Sequence, residues 1–176
     1  MLIVGGGEVG LEKLHFILKS SPNARITVLA TWFSKDVAAL IDRYPQSITT
    51  ITKAFEPEDI GDADLVVAAT NFGEINLQVY QAAKDRGKIV NIADTPELCD
   101  FYMGSIVTRG DLKIAISTNG KSPTFAKRFR QAIEGILPLE TNDLLEHLKI
   151  FRDQLKGNFE YKVKELNELT KVLIEK

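Results

Sequence analysis

The sequence holds a single cysteine, Cys99, among 176 residues. No internal disulfide can form and no cysteine-rich zinc site can be built, and this usage fits a reducing, cytosolic setting. No apolar run approaches the ~20 residues that a membrane-spanning helix needs, and the N-terminus lacks the charged start and long apolar stretch of a signal peptide. Neither sign of charge dominates: 22 Lys and Arg face 24 Asp and Glu, for a net charge of -2. That balance argues against a dedicated binder of nucleic acid or anionic membrane, so any basic patch is local. The two histidines, His15 and His147, read as surface or packing residues, and no Ser/His/Asp or Cys/His set is visible for acyl transfer.

The composition, 44% hydrophobic and 26% charged, is that of one ordinary soluble domain, or of a domain with a modest appendage. Short β-branched runs at Leu2 to Val4, Arg25 to Ala30, Ser47 to Thr52, Asp64 to Ala69 and Lys88 to Ala93 predict parallel strands covered on both sides. Between them Gly10, Leu14, Ile17 and Leu18 make one helical face, Val37, Leu40 and Ile41 a second, and Leu77, Tyr80 and Ala83 a third. Strand and helix in alternation imply right-handed crossovers and an open, doubly wound α/β sheet. After Asp94 the pattern changes: Met103 to Thr108 and Leu112 to Ser117 predict an antiparallel pair joined through Arg109, Gly110 and Asp111. Ser122 and Pro123 then start a helix that runs toward Leu137 and stops before Pro138. From Asn142 onward two apolar stripes, Leu144, Leu148, Phe151 and Leu155, then Val163, Leu166, Leu169 and Leu173, are separated by Gly157 and Asn158 and need a partner surface.

Directly after the first strand stands Gly5-Gly6-Gly7-Glu8-Val9-Gly10, a G-x-G-x-x-G at a strand-turn-helix junction. Gly5 permits the tight turn, Gly7 lets backbone approach a pyrophosphate, and Gly10 seats the helix against the sheet. Free N–H groups at the helix start would face that phosphate. The acid that ordinarily reads the ribose at the end of the second strand is missing, for the chain there reads Leu29, Ala30, Thr31, Trp32. Thr31 could bond a ribose and Trp32 flank an adenine, or they are a capping threonine and a half-buried tryptophan. With no arginine to welcome a 2′-phosphate, NAD is favoured over NADP. The fourth and fifth strands end in Thr70-Asn71 and in Asp94, polar groups that converge where a nicotinamide would lie, although each could also be a turn former. Lys121, Lys127, Arg128 and Arg130 crowd one stretch without an acid, reading either as a holder of polycarboxylate or as a solvated helix face. Phe125 and Phe129 read as core or dimer contacts.

The loop Val4 to Val9, the strand ends Ala68-Ala69-Thr70-Asn71 and Asn91-Ile92-Ala93-Asp94, the segment Phe101 to Val107, and Ser117-Thr118-Asn119-Gly120-Lys121-Ser122-Pro123 together resemble the NAD-dependent precorrin-2 dehydrogenases. This family is also described as the dehydrogenase/ferrochelatase, N-terminal part of siroheme synthase. The resemblance runs from about Met1 to Pro138. It implies a Rossmann-type open parallel sheet followed by a dimerisation β-α segment and a C-terminal helical region, divided at 1–112, 113–140 and 141–176. It further implies oxidation of precorrin-2 to sirohydrochlorin with NAD as hydride acceptor, in an intertwined homodimer, and in some members insertion of ferrous iron. The essential aspartate of the family falls on Asp94. The family's cofactor contacts fall on Gly7, Glu8 and Val9 and on Thr31 and Trp32; the glycine loop and strand ends add Gly5, Gly6, Thr70 and Asn71 as cofactor candidates, and Arg109, Lys121, Lys127 and Arg128 are candidates to hold the acidic substrate. Asp94 would accept a proton or stabilise a developing cation. Two departures stand out: Met1 opens the first strand where members carry a preceding segment, and Gly10 stands where many have alanine, an exchange expected to be harmless. A nucleotide-sensing regulatory module with a similar glycine loop is the alternative, but it ends its second strand in an acid and lacks the Asn-Gly-Lys-Ser-Pro segment.

Overall fold

The computed structural model describes residues 1–173. Five parallel strands, β1 (Leu2–Val4), β2 (Ile26–Ala30), β3 (Ile48–Thr52), β4 (Leu65–Ala68) and β5 (Ile89–Ile92), lie in the order β3-β2-β1-β4-β5. Each predicted run forms its strand within two residues. The chain starts in the middle of the sheet, builds outward through β2 to β3, then crosses back to β4. That reversal leaves a crevice between the ends of β1 and β4, where ligands of open α/β sheets sit.

Helices α1 (Glu8–Ser20) and α2 (Lys35–Arg43) cover one face, packing Leu14, Ile17, Leu18, Val37 and Leu40 against Ile3, Val28 and Val67. Helix α3 (Gly73–Asp85) and a single 3-10 turn at Pro57–Ile60 cover the other, over Val66, Ala68, Val90 and Ile92. Two expectations need correction here. β3 is not covered on both sides, since only Ile48 is buried and the remaining four residues are exposed; β branching there serves an edge strand rather than a core. The inner face of α3 is Asn76, Val79, Ala82 and Ala83, with Tyr80 half-buried, and Leu77 points outward at 54% exposure. A buried asparagine turns the stripe by one residue, for a reason given below.

Beyond β5 the chain doubles back and finishes that edge. The Asp100 N–H donates to the Val90 carbonyl at 2.8 Å, and the Val90 N–H donates to Asp100 Oδ2 at 2.9 Å. Lys84 of α3 pairs with the same carboxylate at 2.7 Å. Lys84 and the Val90 N–H hold the Asp100 carboxyl below the usual range, and Asp100 holds the Lys84 ammonium above its own. Strands β6 (Ser105–Arg109) and β7 (Leu112–Ile116) form the expected hairpin, with Gly110 at φ 56 in a two-residue turn. The division expected after residue 112 falls inside β7, just past its first residue, and would part the hairpin.

Helix α4 (Pro123–Ile136) starts as its sequence dictates, with the Ser122 hydroxyl accepting from the Phe125 N–H at 3.2 Å and Pro123 at the first helical position. Lys19 of α1 pairs with Glu134 of α4 at 2.9 Å and fastens the hairpin-helix unit to the sheet domain. Helices α5 (Thr141–Gln154) and α6 (Phe159–Thr170) follow, separated as expected, with Asn158 capping α6. Neither contains a buried residue, and of the apolar stripes expected there Leu148, Leu155 and Leu166 are half-buried while Leu144, Phe151, Val163, Leu169 and Leu173 lie exposed within one chain. No helix of the described residues is long and apolar enough to cross a membrane.

Candidate functional site

A cleft of about 770 Å³ opens at the carboxyl edge of the sheet, floored by Gly5, Gly6 and Gly7 and walled by the strand ends at Thr31-Trp32 and Thr70-Asn71. Its geometry follows from what glycine lacks. At φ 134 Gly5 adopts a backbone shape that other residues rarely reach, and a Cβ there would stand 2.3 Å from the Ala69 carbonyl oxygen. A Cβ on Gly6 would meet the Trp32 carbonyl oxygen at 2.2 Å. The loop is therefore clamped between β2 and β4. Around Gly7, by contrast, the nearest atoms are those of the Trp32 indole at 3.7 Å, so one backbone stretch is left open to a ligand.

Helix α1 begins here with Gly7 at its N-cap and no side chain accepting from the free N–H groups of its first turn. An anionic group is the natural partner of that end. The open backbone at Gly7, the uncapped helix and the flanking indole, 58% exposed, fit the pyrophosphate and adenosine of a dinucleotide. Glu8 and Val9 form the first turn of α1 and would contribute backbone N–H groups rather than side chains. Gly10 corrects an expectation: a Cβ there would meet the Gly5 carbonyl oxygen at 2.3 Å. Alanine is not harmless in this chain, because helix and loop touch backbone to backbone.

The far wall is fixed by Asn76, which sequence reasoning missed. This side chain, 7% exposed, accepts from the Thr70 N–H at 3.2 Å and hydroxyl at 2.7 Å, and donates to the Thr70 carbonyl at 3.0 Å. The Thr70 hydroxyl in turn accepts from the Phe72 N–H at 3.1 Å. The turn that presents Thr70 and Asn71 is thus over-determined, and the amide interrupting the apolar stripe of α3 was the available signal. Lys53, at the end of β3, also lines the cleft and also escaped notice, although the rule that selects strand ends applies to it.

Asp94 follows β5 directly, at the same edge as the glycine loop, since the Ala93 N–H donates to the Ala68 carbonyl at 2.9 Å. It is exposed and held at φ 57, a left-handed conformation uncommon outside glycine. The loop that holds it is braced from behind: Asn91 donates to the Phe101 carbonyl at 2.8 Å, and Cys99 Sγ accepts from the Ile92 N–H at 3.3 Å. Asp94 sits in a turn, so this conformation fits the turn-former reading as well as a functional one.

The basic residues divide. Gly104 abuts the end of β7, where a Cβ would stand 2.7 Å from the Ile116 carbonyl oxygen, and the neighbouring Met103 packs on the cluster that includes Ala69. This directs the start of α4, with exposed Lys121, Lys127 and Arg128, toward the carboxyl edge of the sheet, but neither these three residues nor Asp94 line the cleft. Arg109 lies at the other end of the hairpin. Its guanidinium donates to the carbonyls of Glu134 at 2.9 Å and Leu137 at 3.4 Å, closing the last turn of α4. The structure therefore does not bring Arg109 to the cleft. Among the described residues no group of three or more His, Cys, Asp or Glu side chains is placed to hold a metal ion.

Residues 1–105 match the family model described as "Putative NAD(P)-binding". The chain belongs to this family. Residues 109–136 match a second model, described as sirohaem biosynthesis protein central. The chain is 36% identical over 158 residues to siroheme synthase of Nitrosomonas europaea and 37% identical over 158 residues to that of Vesicomyosocius okutanii. Each alignment covers 90% of this chain and 33% of the relative, so the chain spans about a third of the length of these curated relatives. The solved structure of SirC, precorrin-2 dehydrogenase, shares the fold with a TM-score of 0.76 at 24% identity, over 96% of this chain and 83% of that one.

Proposed function

We propose that the chain oxidises precorrin-2 to sirohydrochlorin with NAD as the hydride acceptor, in the cytosol, as a step of siroheme formation. The observation that carries this reading is the cleft itself, a glycine cradle and an uncapped helix start shaped for a dinucleotide, with Asp94 just past β5 at the same edge of the sheet. The likeness to siroheme synthases over both the sheet and the hairpin-helix unit supports it over a purely regulatory nucleotide sensor. The oxidation removes a hydride and a proton from the partly reduced ring; NAD, when bound, would supply the hydride acceptor, and the proton would pass to solvent or to a carboxylate.

The residues of the chain supply alignment and charge. Gly5, Gly6, Gly7 and the N–H groups of Glu8 and Val9 hold the pyrophosphate, while Thr31 and Trp32 flank the adenosine. Thr70 and Asn71, locked by Asn76, border the nicotinamide end. Lys121, Lys127 and Arg128 draw the acidic side chains of the substrate over that ring, helped by a first turn of α4 that has no acid. Asp94 serves most directly as a fixed negative charge facing the cation that grows as hydride leaves.

Anaerobic incubation with precorrin-2 and NAD, followed by NADH absorbance, tests the reading. Asp94→Ala should lose turnover by on the order of a hundredfold or more while still binding NAD. Unchanged turnover would remove Asp94 from the mechanism, and no NADH from the unaltered protein would remove the function.

The uncovered stripes on α4 to α6, with Phe129, Phe151 and Leu169 exposed, support a homodimer in which a second copy covers them. Sedimentation should give twice the chain mass, and Phe151→Asp should shift the population toward the monomer. A monomer at micromolar concentration would exclude the dimer.

A further inference from the structure

The second strand ends without the acid that tells a ribose hydroxyl from a ribose phosphate. We infer that the loop after β3 supplies that discrimination, with Lys53, Glu56 and Asp59 acting as a charge filter that rejects a 2′-phosphate; this rests on the cleft being a nicotinamide-dinucleotide site. Lys53 stands beside the end of β2, its backbone N–H donating to the Ala30 carbonyl at 3.1 Å, one residue before Thr31. Among the described residues lining the cleft it is the one cation, and Glu74, on the first turn of α3, is the one anion. A lysine in that position would ordinarily invite a phosphate.

Here the ammonium is already taken. It lies 2.6 Å from Glu56 Oε2 and 3.0 Å from Asp59 Oδ1, and these bonds, Glu56 first, push its pKa up. Two carboxylates around one ammonium leave the group with a net charge of about -1. The carboxylates cannot easily swing away. The 3-10 turn at Pro57–Ile60 carries a capping box in which Asp59 accepts from the Glu56 N–H at 2.8 Å and Glu56 accepts from the backbone N–H of Asp59 in return. A 2′-phosphate, carrying close to two negative charges, would approach a cluster of its own sign, whereas the two hydroxyls of an NAD ribose meet no such repulsion.

Titration calorimetry with NAD and with NADP on the intact protein and its variants tests the filter. The unaltered protein should favour NAD by about tenfold or more. Glu56→Gln/Asp59→Asn keeps acceptor oxygens for the capping box yet frees Lys53, and should raise the NADP-to-NAD affinity ratio by roughly tenfold. Adding Lys53→Met to that pair should cancel the gain. Should the double variant fold poorly, Glu56→Gln alone should move the ratio the same way, by about threefold. Binding of both dinucleotides with the ratio unmoved in these variants overturns the filter and leaves the cleft reading intact. If neither dinucleotide binds the unaltered protein, both readings fall.

Discussion

Asp94 carries a conformational cost that its neighbours do not. Left-handed backbone costs an L-residue ~1 kcal/mol or more, less for aspartate than for alanine and nothing for glycine. Asp94→Gly should therefore raise the unfolding temperature, by ~2–4 °C for each kcal/mol relieved in a chain of this size, while Asp94→Ala should lower it. Both should lose substrate oxidation by on the order of a hundredfold or more. A thermal melt beside the NADH assay separates these effects: parallel losses of stability and turnover in both variants would mean that the carboxylate serves structure alone.

At the scale of elements, the junction of β4 and α3 shows how a polar residue can decide where a helix sits. Removing the Asn76 amide leaves the N–H and carbonyl of Thr70 unpaired in a half-buried turn, at ~1–3 kcal/mol. Asn76→Ala should lower stability by about that much and weaken dinucleotide binding together, measured by chemical denaturation and titration; stability lost with binding intact would detach this turn from the site. The same junction shows what sequence reading could reach. Strands and helices were legible because their apolar periods are set by burial, and the glycine loop because backbone clashes at Gly5 and Gly6 leave no other residue. The inner stripe of α3 was misread because a rule that ranks Leu77 above Asn76 by hydrophobicity cannot see three hydrogen bonds to Thr70. The candidate role of Arg109 came from charge alone, and its bonds to Glu134 and Leu137 depend on a packing no spacing reveals. Lys53 was missed because its partners, Glu56 and Asp59, gain meaning only once β3 is laid beside β2.

For the molecule as a whole, pH acts through carboxylates that tie separate parts together. Lys84 and the Val90 N–H hold Asp100 below its ordinary pKa, and Lys19, with Arg130, does the same for Glu134. Groups lowered in the folded state contribute stability that is present above the unfolded pKa, ~4, and lost as the pH falls through the folded value. Both side chains are about one third exposed, so each pair is worth no more than ~1 kcal/mol. The melting temperature should fall steadily below about pH 4, and Asp100→Asn should lower it at neutral pH while flattening that decline. An unchanged acid limb in the variant would mean that other carboxylates govern acid unfolding.

The strand order has a consequence for how this chain can be cut. Of the five sheet strands the earliest in sequence is the central one, and the turn following it rests against the Ala69 carbonyl. A fragment ending before that residue would contain every glycine of the nucleotide cradle and yet lack the surface that shapes it. The binding loop precedes β4 in sequence but is assembled only when β4 arrives, so during synthesis cofactor capture must wait for the second half of the sheet.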